Sequence, residues 1–168
     1  MARYDREAAV WYADQYWNSY NPNFLKFTDD CTNYISQCLL AGGIPMTSGT
    51  ENPSVGWWYH RQGKARHHWS YSWSVAHSLY WYLRGKHKTG PRADAVKSPT
   101  DLKLGDIICY DFEGNGVWNH NTIVTRFDMD GNPLVNAHTS NSQHRYWEYR
   151  DSSAWTPKIK YAFFHIIS

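Results

Sequence analysis

The hydrophobic period of this chain changes once, at Ser98-Pro99. Before that point apolar residues recur at helical spacing, and after it they alternate with a period of two. Helices first and antiparallel strands after is an α+β arrangement. The opening helix is expected over Asp5 to about Tyr20. Asp5 can cap it, Glu7 suits its first turn, and Ala9, Tyr12, Ala13 and Tyr16 form one stripe. Asn21-Pro22-Asn23 ends it. Thr28-Asp29-Asp30 then supplies cap residues for a second helix over about Cys31 to Ala41, closed by Gly42-Gly43 and Pro45. Thr47 to Tyr71 has no clear period and reads as a long functional loop with short helical turns. A third helix is expected over Ser74 to Gly85, followed by a polar connection from Lys86 to Lys97. Strands are expected at Asp106–Phe112, Trp118–Phe127, Pro133–Thr139, Arg145–Tyr149 and Lys158–Ile167. Asp130-Gly131-Asn132 marks a hairpin turn between the second and third.

With 168 residues the expectation is one domain over residues 1–168. Its core must be built from unusual material: 10 Trp, 13 Tyr and 6 Phe stand in the sequence. Rings bury well, and a net charge of +2 is too small for the composition to signal disorder. Many rings must nevertheless be partly exposed or line something. No run of 18 apolar residues occurs, so no membrane insertion is expected. Met1 to Asp5 lead straight into amphipathic sequence without an apolar signal region, which fits a cytosolic protein or a module lacking its export signal. The nearly balanced charge gives no pull toward nucleic acid, and the basic residues between Arg61 and Arg92 read as a solvated face. Three cysteines make no disulfide framework, and without CxxC or HExxH no metal site and no cofactor are expected. Asp128-x-Asp130-x-Asn132 imitates a calcium loop, but Pro133 replaces the required Gly and Thr139 the final Glu; it reads as a turn.

Cys31 stands out by position. At the amino-terminal end of a helix, unpaired N–H groups and the partial positive charge favour thiolate over thiol and can also receive an oxyanion. Cys38, mid-helix, and Cys109, within an apolar strand, read as packed hydrophobes. A thiolate nucleophile needs a base, commonly remote in sequence. Of nine histidines, His120 opens a strand on which His120, Thr122 and Val124 share a face. A base also needs an orienting group on its second ring nitrogen. Asn136 and His138 share a face of the next strand. Folding the hairpin about Asp130-Gly131 sets His120 nearest Asn141, with His138 nearer than Asn136 and a bulge able to absorb the shift. His138 is favoured and Asn136 is the alternative.

Tyr4-Asp5-Arg6-Glu7-Ala8-Ala9-Val10, Asp30-Cys31-Thr32-Asn33-Tyr34-Ile35-Ser36-Gln37-Cys38-Leu39 and Gly42-Gly43 together closely resemble the bacterial putative amidase domain family. That family is related to NlpC-type and CHAP cysteine peptidases of papain-like fold. Leu104-Gly105-Asp106-Ile107-Ile108 resembles the strand preceding the catalytic His strand in those relatives, and His120 to Thr125 and His138-Thr139 resemble the family's His elements. The likeness runs from about Tyr4 to about Asn141. It implies a papain-like fold with amino-terminal helices packed on a carboxy-terminal antiparallel sheet. It also implies a cysteine amidase or peptidase with Cys31 as nucleophile, His120 as base, and a polar residue of the following strand as orienter. Asp30 is expected to cap or position the Cys31 helix. The implied substrate is a peptide or peptidoglycan amide, and secretion or cell-wall association rests on this resemblance alone.

The aromatic excess then has a place. Trp57, Trp58, Trp69, Trp73 and Trp81 lie between the Cys31 helix and the His120 strand, and Trp118 stands two residues before His120. They are expected to divide between core filling and the wall of a cleft, with Trp73 and Trp118 as binding residues. The rival reading is a non-catalytic cell-wall or glycan-binding module on the same fold.

Overall fold

The computed structural model describes residues 3–63 and 65–168; Met1, Ala2 and Lys64 lie outside the described residues. In chain order the helices are α1 (Arg6–Tyr16), α2 (Cys31–Ala41), α3 (Tyr71–Ser74) and α4 (Ala76–Arg84). The strands are β1 (Tyr59–Gln62), β2 (Arg66–Trp69), β3 (Ala93–Val96), β4 (Ile107–Asp111), β5 (His120–Phe127), β6 (Pro133–Ala137), β7 (Ser142–Tyr146) and β8 (Lys160–Ile166). Six strands form one antiparallel sheet in the order β3-β8-β4-β5-β6-β7, and β1 and β2 make a separate hairpin. The protein is α+β, with a small helical part and antiparallel sheets.

Period-two alternation in β4 divides the molecule. Ile107 and Cys109 face the helices in a cluster with Tyr34, Ile35, Leu39 and Leu79. Ile108 and Tyr110 face the other way, against Val124, Val135, Tyr149 and Phe163. Helix α2 lies inside this arrangement, with every residue from Cys31 to Leu39 buried.

Local chemistry explains where the elements start and stop. Asp5 caps α1 by accepting the Ala8 N–H at 3.0 Å. The helix ends at Tyr16, short of the expected Tyr20, because the Tyr16 carbonyl accepts from Ser19 N–H and from the His138 ring. The expected long loop over Thr47–Tyr71 contains the β1–β2 hairpin instead. Its strands are four residues long and rich in His and Arg, too short and too polar for alternation to register. The expected polar connection contains β3, an edge strand held through its backbone by β8. The helix expected over Ser74–Gly85 is broken at Val75, whose extended backbone separates α3 from α4. Asp128 accepts the N–H groups of Asp130 and Asn132, which makes the calcium-like segment a turn.

The β5–β6 register decides the geometry of the site. Phe127 pairs with Pro133 and Arg126 with Leu134, but beyond a bulge the pairs are Val124 with Val135 and Ile123 with Asn136. Continued without the bulge, the first register would set His138 on the face of His120. One extra residue, Thr125, turns β6 over relative to β5, and Asn136 and His138 face the helices. The Thr125 hydroxyl marks the spot by donating to Asn136 Oδ1 at 2.8 Å.

Asp106 ties the amino-terminal helix to the sheet. Fully buried, it accepts from Arg6 Nη1 (2.7 Å), His165 Nδ1 (2.9 Å) and the N–H groups of Lys103 and Ile166. Replacing it leaves the Lys103 and Ile166 N–H groups without their acceptor and removes the charge opposite Arg6, whose guanidinium keeps the Leu104 and Ile166 carbonyls. Asp106→Ala is expected to lower stability by about 3 kcal/mol in urea unfolding, with the native circular dichroism retained in buffer.

Candidate active site

The first turn of α2 is fixed from below by Asp30. Its Oδ1 accepts from Phe27 N–H (2.9 Å) and Asn33 Nδ2 (3.0 Å), and its Oδ2 meets His138 Nδ1 at 2.5 Å. Asp30 therefore positions the helix through neighbouring groups and makes no side-chain cap to the helix backbone. Asn33 extends the network, because its Oδ1 accepts the indole N–H of Trp73 at 2.9 Å. Trp73, expected in the cleft wall, is fully buried and belongs to this support. Trp57 and Trp58 are also core, Trp69 is half-buried and Trp81 is exposed.

Cys31 and His120 line one cavity of about 480 Å³. Trp118 forms part of its wall, stacked on Tyr80 at 4.1 Å, with its backbone N–H donated to His77 Nδ1. The cavity lining mixes apolar side chains such as Val75 and Val117 with polar ones such as Arg145 and Ser152. Among the described residues no group of three or more His, Cys, Asp or Glu could hold a metal ion, and no helix is long and apolar enough to cross a membrane.

The expected thiolate does not survive burial. Cys31 does begin α2, and the Thr32 hydroxyl and the N–H groups of Asn121 and Thr32 favour its anion. Loss of solvent outweighs them and pushes the thiol up, with the Asp29 charge adding to the effect. Burial also pushes His120 down to about 3, aided by the Arg145 charge. The cavity is thus lined by a neutral thiol and a neutral imidazole. Cys38 and Cys109 are fully buried, and burial pushes both thiols up.

His138 and Asn136 are not brought to His120. The His138 ring stacks on Tyr34 at 4.1 Å, with Nδ1 on Asp30 and Nε2 on the Tyr16 carbonyl at 2.6 Å. Asn136 accepts from Thr125 and from His144 N–H and donates to Asp14. Both stand on the helix face of the sheet, for the reason given by the bulge. On the His120 face, Nε2 lies 3.0 Å from the hydroxyl of Tyr149, 3% exposed, over whose ring the Arg145 guanidinium sits at 3.9 Å. Nothing in the sequence singled out Tyr149 or Arg145. Tyr149 reaches the site through a backbone φ of +62°, which a Tyr codon does not announce.

The description "putative amidase domain" matches residues 3–164. The chain belongs to that family. It is 54% identical over 165 residues to the uncharacterized protein YhbB of Bacillus subtilis (strain 168), covering 98% of this chain and 51% of that protein. The uncharacterized protein YjcM of the same organism is 28% identical over 136 residues, 73% of this chain and 28% of its own length. The chain thus spans about half the length of the first relative and less of the second. No solved structure matches it.

Two measurements check the electrostatics. A His with its folded value near 3 and an unfolded value of 6.5 leaves the folded chain unprotonated while the unfolded chain takes up a proton. Its contribution to stability is full above about pH 6.5 and is lost as pH falls toward 3, at about 1.4 kcal/mol per pH unit. Urea unfolding from pH 7 to 4.5 is expected to show a shallower acid decline in His120→Asn than in wild type. Iodoacetamide followed by peptide mapping is expected to label Cys31 alone in the folded protein, at a rate still rising above pH 9.

Proposed function

We propose that the chain is a cysteine-dependent amide hydrolase, with Cys31 as nucleophile and His120 as general base and acid. The observation that carries this is one cavity lined by both residues, in a member of an amidase family. Starting from the neutral pair, His120 takes the Cys31 proton as sulfur bonds to the amide carbonyl carbon. In this reading the Cys31 N–H, in the first turn of α2 where helical bonding leaves donors unpaired, receives the oxyanion. His120 then gives the proton to the departing amine and activates the water that hydrolyses the thioester.

The proposal extends to the substrate: peptide amides of bacterial peptidoglycan, met outside the cell or at the wall by one amidase unit of papain-like fold. The resemblance of the Asp30-to-Leu39 and His120-to-Thr125 segments to NlpC-type and CHAP peptidases supports this, as does a cavity whose lining mixes apolar and polar side chains. Trp118, stacked on Tyr80, offers an aromatic side chain in the lining of the same cavity.

Digestion of purified peptidoglycan with product mass analysis tests both parts. Wild type is expected to release new amine ends, and Cys31→Ala to lose at least about 10³-fold in rate while keeping its circular dichroism. Turnover retained by Cys31→Ala overturns the cysteine mechanism. Hydrolysis of simple peptide amides with none of peptidoglycan overturns the substrate.

A further inference from the structure

We propose that Tyr149 is the positioning residue of the His120 base: its phenolic oxygen accepts the Nε2 proton, so that Nδ1 keeps the lone pair for the Cys31 thiol. This rests on the reading of His120 as base. A neutral imidazole has one N–H and one lone pair, and catalysis needs the lone pair on the nitrogen free to face the nucleophile. An acceptor on the other nitrogen fixes that tautomer. Tyr149 Oη is 3.0 Å from Nε2.

The other polar groups near this role are committed elsewhere. His138 and Asn136 lie across the sheet with their hydrogen bonds made. Tyr110, the neighbouring phenol on the His120 face, donates its hydroxyl to the Trp147 carbonyl at 2.7 Å.

Tyr149 is also held as a positioning group must be. Its ring packs on Tyr110 at 4.8 Å on one side. Arg145 covers it at 3.9 Å and is itself anchored by Asp151 at 3.1 Å and Ser142 Oγ at 3.3 Å. The left-handed backbone at Tyr149 is a conformation a bulky side chain rarely adopts, and it is sustained here by that surrounding packing. Burial pushes the phenol up, so Tyr149 keeps its own proton throughout. The proton in flight moves from Cys31 Sγ to His120 Nδ1 and then to the leaving nitrogen; Nε2–H stays on the ring, bonded to Tyr149.

Nitrogen-detected NMR of the ¹⁵N-labelled full chain reads the tautomer directly, and steady-state kinetics on released amine reads its consequence. In wild type His120 is expected as the Nε2–H form between pH 5.5 and 8. In Tyr149→Phe, which removes one oxygen and keeps the ring stack, the Nδ1–H form is expected to appear. The same variant is expected to lose roughly 10²-fold in kcat with KM within about twofold. A wild-type Nδ1–H tautomer, or a Tyr149→Phe variant with unchanged tautomer and kcat, overturns the proposal. The NMR result decides the Tyr149 role even if the Cys31→Ala comparison removes the hydrolase reading.

Discussion

Helix α2 is buried from its first residue to Leu39, and its sequence there includes Thr32, Asn33, Ser36 and Gln37. A buried polar side chain without a partner costs on the order of 1–3 kcal/mol, so each of these dictates something about its surroundings. Thr32 donates to Asn121 on β5. Asn33 takes the indole N–H of Trp73 and donates to Asp30. Ser36 donates to the Trp73 carbonyl and accepts the Trp57 indole N–H. Gln37 accepts the Tyr12 hydroxyl of α1. Trp and Tyr are the large apolar residues that also carry a donor, which gives a physical reason for a core built from them in place of Leu and Ile.

The same burial sets the character of the site. Helix-terminal N–H groups favour a thiolate at Cys31, but they act across a site that solvent barely reaches, and desolvation dominates. His120 is neutral for the same reason. In the proposed mechanism, proton transfer and attack therefore belong to one step.

Much of the fold was legible in the sequence. The bounds of α2 were legible, though Asp30 before it acts through Phe27, Asn33 and His138 and not as a cap. Strands β4, β5, β6 and β8 follow from alternation after Pro99, while β7 begins three residues before the expected Arg145. Three four-residue strands, β1, β2 and β3, escaped because backbone pairing can hold a strand whose side chains carry no period. Cys31 and His120 stood out as candidates through their places at a helix start and a strand start. Trp73 misled because an indole in a Trp-rich stretch looks alike in sequence whether it lines a cleft or donates to Asn33.

The sequence by itself determined an α+β chain with Cys31 at a helix terminus and His120 at the mouth of a strand, because period, caps and turns are local properties. Only the tertiary structure decided which face of the sheet each histidine occupies. A single inserted residue at Thr125 reverses the parity of β6 against β5, and no local pattern records it. That inversion gives His138 to Asp30 under the Cys31 helix and leaves His120 beside Tyr149, on the far side of the same sheet.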